Sequence, residues 1–129
     1  MMNIKGVLFD LDGTLLDTSE LIVESFRYTF KQHCNYDISV SEVHDFFGKS
    51  LRLAMETLGK DKADELIDTY REHNAKYHDE KIAIFPEVAE TIKTMYDNGI
   101  KLAVVTSKTK KTALRGLKLF GLESYFSTV

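Results

Sequence analysis

A disulfide within this chain is excluded, because Cys34 is the only cysteine among 129 residues, and a lone thiol fits a reducing compartment. Nothing flanking Cys34 marks a nucleophile's environment. No apolar run approaches the roughly 20 residues that span a bilayer, and the chain opens into a strand pattern without the charged-then-apolar order of a signal segment. Cytoplasm is the expected location. Positive charge is scarce too: 17 Lys and Arg against 20 Asp and Glu leave a net charge of −3, which gives no electrostatic case for nucleic acid or membrane as a partner. Repeats, low-complexity tracts and flexible linkers are also missing. The remaining composition, 43% hydrophobic and 29% charged, is that of a single domain-sized globular chain, too apolar for disorder.

The most informative stretch comes early. Ile4 to Phe9 is a short apolar run with β-branched Ile4 and Val7, too brief for a helix, and reads as a buried parallel strand. It ends in Asp10-Leu11-Asp12-Gly13-Thr14-Leu15-Leu16. In open α/β sheets ligands bind outside the carboxyl ends of the strands. Two carboxylates crowded there repel, and a divalent cation relieves both. Mg2+ suits them, since it takes one or two carboxylates and fills its shell with water and phosphate oxygens. An aspartate is also able to accept a phosphoryl group as a nucleophile. Gly13 permits a sharp turn and is expected to bring its N–H to an anion, and Thr14 adds a hydroxyl. Asp and Gly are equally ordinary turn formers, so the weight lies on the whole string rather than on Asp-x-Asp.

From Asp17 the pattern turns helical. Asp17-Thr18-Ser19-Glu20 is a capping candidate for a helix to about Gln32, with Ile22, Phe26, Thr29, Phe30 and His33 on one face. Ser39-Val40-Ser41-Glu42 is a second capping box. Phe47-Gly48-Lys49-Ser50 reads as a turn before a helix from Leu51 to Leu58, closed by Gly59. The next helix, capped by Asp61, carries a core stripe of Ala63, Leu66, Ile67, Tyr70, Asn74 and Tyr77. His73 and His78, five apart, are poorly spaced for ligands on one face and are expected in solvent. Pro86 suits the first turn of a helix running to Asn98-Gly99.

Ile100 to Thr106 is a second apolar strand, ending in Thr106-Ser107-Lys108 before a helix from about Thr109 to Phe120; Tyr125 to Val129 opens a third strand. Lys101, Lys108, Lys110, Lys111, Arg115 and Lys118 stand between Asn98 and Leu122 without one acid. Cations at a helix N-terminus oppose its dipole, and a nearby anion would rationalise Lys108, while Lys110 and Lys111 suit open solvent. If this strand lies beside the first, Thr106 meets the same crevice as Asp10 and Asp12. The expected fold is α/β: a doubly wound, Rossmann-like parallel sheet (residues 1–16 and 82–129, a partial core) with an inserted α-helical cap (17–81).

The strand with Asp10-x-Asp12-Gly13-Thr14, followed by the strand ending in Thr106, resembles the haloacid dehalogenase-like hydrolase superfamily. The likeness runs the length of the chain and is nearest to phosphoglycolate phosphatase-like and bacterial pyrophosphatase-like members, through Phe47-Gly48-Lys49-Ser50-Leu51, Tyr70-Arg71-Glu72-His73-Asn74, His78-Asp79-Glu80 and Val105-Thr106-Ser107-Lys108. The resemblance implies a Mg2+-dependent phosphatase acting on a small phosphorylated substrate. Asp10 is then nucleophile and, through its carboxylate, metal ligand, and Asp12 is general acid/base and, through its backbone carbonyl, metal ligand. Gly13, Thr14, Thr106, Ser107 and Lys108 contact the phosphoryl group, and Gly48 and Lys49 form the cap's substrate loop. Phosphosugar mutases share these features, and a phospho-accepting regulator is a rival of another class, against which the helical insertion argues. The superfamily's later lysine and acidic pair have no counterpart up to Val129. The expectation is a truncated chain with weak Mg2+ binding, poor turnover and an exposed sheet edge prone to self-association.

Overall fold

In chain order the elements are β1 (Gly6–Phe9), β2 (Leu16–Asp17), α1 (Ser19–Cys34), α2 (Val40–His44), α3 (Leu51–Gly59), α4 (Ala63–Lys81), β3 (Ala83–Ile84), α5 (Val88–Asp97), β4 (Lys101–Val104) and α6 (Lys110–Leu119). This computed structural model describes residues 3–129. The chain divides into two compact units, Met1–Asp17 with Ala83–Val129, and Thr18–Ile82.

In the first unit β1 and β4 pair in parallel, with Val7 beside Leu102 and Phe9 beside Val104. Side chains alternate across a strand, so these four share one face; Leu102 and Val104 are buried and Val7 and Phe9 half-buried. The opposite face is bare: Leu8 is 73% exposed and Val105 61%. The expected fully buried strand is thus a half-covered one. Its continuous apolar run promised cover on both faces, whereas among the described elements β1 has one neighbour, β4. The third strand is only begun. A 3-10 turn at Glu123–Tyr125 intervenes, after which Ser127 N–H donates to the Leu102 carbonyl at 2.9 Å and Val104 N–H to the Thr128 carbonyl at 3.0 Å.

Two strands of two residues escaped the sequence reading. β2 and β3 pair antiparallel where the chain leaves the first unit and returns to it, Leu16 opposite Ile84. They are too short to show periodicity. Pro86 precedes α5 by two residues rather than standing inside its first turn. Between them Glu87 takes a left-handed conformation, φ 68°.

The second unit is helical. Its core joins Phe26, Phe30, Ile38, Val43, Ala54, Met55, Ala63, Leu66 and Ile67, with Phe26 edge-on to Tyr70 at 5.2 Å. The Ser39 capping box forms with both of its hydrogen bonds, and Ser50 caps α3. Thr18 and Lys62 occupy the N-cap positions of α1 and α4 without a side-chain cap bond, so neither the Asp17-to-Glu20 cap nor the Asp61 cap forms as expected. Two expectations about α4 fail as well. His78 is 1% exposed and its Nδ1 lies 2.7 Å from Asp79 Oδ1; His73 Nδ1 meets the Ser25 hydroxyl at 2.9 Å. Spacing between the two histidines said nothing about α1, along whose length α4 packs. Among the described residues no helix is long and apolar enough to cross a membrane.

Candidate active site

The site is built on the parallel pairing of β1 and β4. Their register carries past the strand ends, since Val105 N–H donates to the Phe9 carbonyl at 2.8 Å. Asp10 and Thr106, each one residue further on, therefore emerge at the same edge of the sheet. The conditional expectation that the two motifs share a crevice rests on this adjacency, and the adjacency is present.

After β1 the chain closes a tight loop. The Leu11 carbonyl accepts from Leu15 N–H at 3.0 Å and Leu16 N–H at 3.1 Å, and Gly13 N–H donates to the Leu16 carbonyl at 2.9 Å. Gly13 has φ +77°, which glycine tolerates without strain. Its N–H, expected at an anion, is committed inside the loop, so Gly13 serves the turn. Thr14 is exposed beside it. Leu11, 1% exposed, pins the loop from below and went unnoticed in the sequence; an apolar residue between two aspartates was its only signal. Asp10 is exposed, and its Oδ1 accepts from Leu11 N–H at 2.8 Å.

Across the sheet edge, Lys108 Nζ lies 3.0 Å from Asp12 Oδ1, with side chains 16% and 26% exposed. The Thr106 hydroxyl accepts from Lys108 N–H at 3.2 Å, which fixes the loop leading into α6. Thr109 caps α6 by accepting from Thr112 N–H. Ser107 is exposed, as are Lys110 and Lys111. The structure thus gathers Asp10, Asp12, Thr106 and Lys108 at one strand end. Gly48 and Lys49 belong to the other unit. There Gly48 turns with φ +80° and Lys49 Nζ sits 5.6 Å from the centre of the Phe46 ring, a cation–π contact.

The donors at this site are hard carboxylate oxygens on partly open loops. Among the described residues no three His, Cys, Asp or Glu side chains converge. An exposed Asp10 carboxylate with the Asp12 backbone carbonyl suits Mg2+, which keeps several waters and binds few protein ligands, better than a metal that needs a full protein cage.

Comparison with known proteins shows the family. The family model described as haloacid dehalogenase-like hydrolase matches residues 7–129. A relative from Caldanaerobacter subterraneus subsp. tengcongensis, provisionally named pyrophosphatase PpaX, is 47% identical over 128 residues, covering 99% of this chain and 58% of its own. Pyrophosphatase PpaX of Halalkalibacterium halodurans is 41% identical over 128 residues, covering 99% and 60%. Among solved structures, a haloacid dehalogenase-like family hydrolase from Streptococcus pneumoniae superposes with a TM-score of 0.88 at 28% identity, covering 97% of this chain and 60% of that one. The chain therefore spans about 60% of the length of the curated relatives it matches.

Proposed function

Because the chain belongs to the haloacid dehalogenase-like hydrolase family, we propose that its Asp10–Asp12 edge is the phosphoryl-transfer site of a Mg2+-dependent phosphohydrolase. The substrate is a small phosphate compound, inorganic pyrophosphate ahead of phosphoglycolate, given the names that the relatives carry. The observation that supports this most is the convergence of Asp10, Asp12, Thr106 and Lys108 on one sheet edge.

In this reading an Asp10 carboxylate oxygen bonds to phosphorus as the bond to the leaving oxygen breaks, and Asp12 gives that oxygen a proton. Water then attacks the aspartyl phosphate, yields a proton to Asp12 and frees Asp10 with release of phosphate. The Thr106 hydroxyl hydrogen-bonds an equatorial oxygen. The Asp10 carboxylate and the Asp12 backbone carbonyl would hold Mg2+, which when bound offsets negative charge on the phosphoryl oxygens. Thr14 and Ser107 are further contacts to the substrate in this reading, and the protein works in the cytoplasm. Among the described elements β1 has one open edge, and with the bare Leu8 and Val105 it favours self-association.

The test is phosphate release from pyrophosphate and from phosphoglycolate, with and without Mg2+, beside Asp10→Asn. Mg2+-dependent release that falls roughly a thousandfold or more in the variant is the expected result. Release that is indifferent to the substitution contradicts the assignment.

A further inference from the structure

Lys108 is held where a simple phosphate clamp would not need it. Its ammonium is 3.0 Å from Asp12 Oδ1 and its side chain only 16% exposed, while its backbone N–H is tied to Thr106 Oγ1. Backbone and side chain of Lys108 are thus both tied to the site, whereas the side chains of Lys110 and Lys111, on α6, are exposed. The partner is Asp12 rather than Asp10, which follows β1 directly.

That choice has a chemical consequence. Resting on the phosphoryl-transfer reading above, Asp12 is the carboxyl group that faces the departing oxygen. A cation bonded to Asp12 therefore stands on the leaving-group side of the transfer. An ammonium there attracts a leaving group that is itself anionic and does little for a neutral one, because charge-assisted hydrogen bonds in a partly dry site are the strong ones. We infer that Lys108 is a specificity-determining residue that selects phosphate compounds whose leaving group carries its own negative charge. The leaving phosphate of pyrophosphate qualifies, as does the carboxylate-bearing alcohol of phosphoglycolate. A phosphate ester of a neutral alcohol does not.

The bond changes are those already written for Asp10 and Asp12. Lys108 transfers no proton; it exchanges part of its contact with Asp12 for an anionic oxygen of the leaving group. Substrate and Asp12 then share one cation, and Asp12 is kept oriented in the absence of substrate.

The experiment compares ligand binding and turnover by the wild-type chain, Lys108→Met and Lys108→Arg in the presence of Mg2+. Dissociation constants are measured by calorimetric titration with imidodiphosphate, a non-hydrolysable diphosphate, and with phenyl phosphate, whose leaving group has no charge of its own. The expected result in Lys108→Met is a loss for imidodiphosphate that exceeds the loss for phenyl phosphate by about tenfold or more, with recovery of most of that difference in Lys108→Arg. Where turnover is measurable, kcat/KM for pyrophosphate falls by the larger factor and that for phenyl phosphate by the smaller. Equal losses for both ligands would make Lys108 a structural prop, and no loss for either would make it a surface cation; each overturns the inference while leaving the phosphohydrolase reading intact. If the wild-type chain binds neither ligand with Mg2+, the phosphohydrolase reading itself fails, and the inference with it.

Discussion

The two compact units differ in where they leave apolar residues open: one face of the β1–β4 pair is bare, whereas the exposed apolar residues of the helical unit stand outside a closed core. In the helical unit, Phe30, Ile38, Val43, Met55, Leu66 and Ile67 are all 2% exposed or less, so four helices close a core among themselves. In the unit with the sheet, Leu102 and Val104 are buried, yet Leu8 and Val105 on the neighbouring face are 73% and 61% exposed. Helices satisfy their backbone hydrogen bonds internally, and amphipathic ones need only a partner helix. A parallel sheet needs cover on both faces. The chemistry-bearing residues stand on the sheet-bearing half, held by the β1–β4 register and by the closed loop after β1.

The largest effects that sharpen this contrast lie in the helical core. Leu66→Ala, at a site with no exposure, is expected to cost about 2–5 kcal/mol, read by denaturant unfolding. Gly59→Ala attacks the same spot from the other side, since a Cβ there runs into Leu66 Cδ1, and is expected to cost about 1–3 kcal/mol. Leu8→Ser on the bare sheet face is expected to shift the same unfolding curve by less than about 0.5 kcal/mol while reducing self-association in sedimentation. A loss at Leu8 as large as that at Leu66 would erase the distinction between the units.

An effect of opposite sign, below those at Leu66 and Gly59, is expected at Glu87, which adopts φ 68° just before α5. Glycine removes the left-handed penalty, so Glu87→Gly is expected to stabilise the sheet-bearing unit by about 1 kcal/mol. Thermal melting that drops instead would show that the Glu87 side chain does more for the turn than its backbone strain costs.

The smallest effect concerns pH. His73 of the helical unit stacks on Tyr28 at 4.7 Å and binds Ser25. Burial holds its pKa below the ordinary value of 6.5; Lys76 pushes the same way and Glu24 opposes. Folding therefore disfavours the protonated ring. The contribution is complete above about pH 6.5 and is lost as pH falls through the lower, folded-state value. Melting temperatures between pH 8 and pH 5 should decline in the wild type and decline less in His73→Gln; identical slopes would remove His73 from the account.

Much of this was legible from local pattern. The strand ending at Asp10, the strand leading to Thr106, the Ser39–Glu42 capping box and the Leu66–Ile67 stripe each announce themselves within a few residues. Long-range pairing was not legible. Nothing near Lys108 names Asp12 as its partner; the absence of acids around the α6 N-terminus pointed only to some anion. His78 was misjudged because its burial is decided by packing, not by its distance from His73. The half-covered sheet was missed because an apolar run states that cover is needed and not that it is present. The Gly13 N–H was misassigned because the turn that requires glycine also consumes its donor.

The most direct test of the central claim, that Asp10 and Asp12 divide nucleophile and acid/base roles at one sheet edge, is a covalent one. The chain, Asp10→Asn and Asp12→Asn are each incubated with pyrophosphate and Mg2+, quenched in acid and examined by intact and peptide mass spectrometry for one added phosphoryl group. The account predicts that Asp12→Asn accumulates the adduct on Asp10, because its hydrolysis is stalled, and that Asp10→Asn never forms it. An adduct that persists in Asp10→Asn, or maps to any residue other than Asp10, would contradict the account.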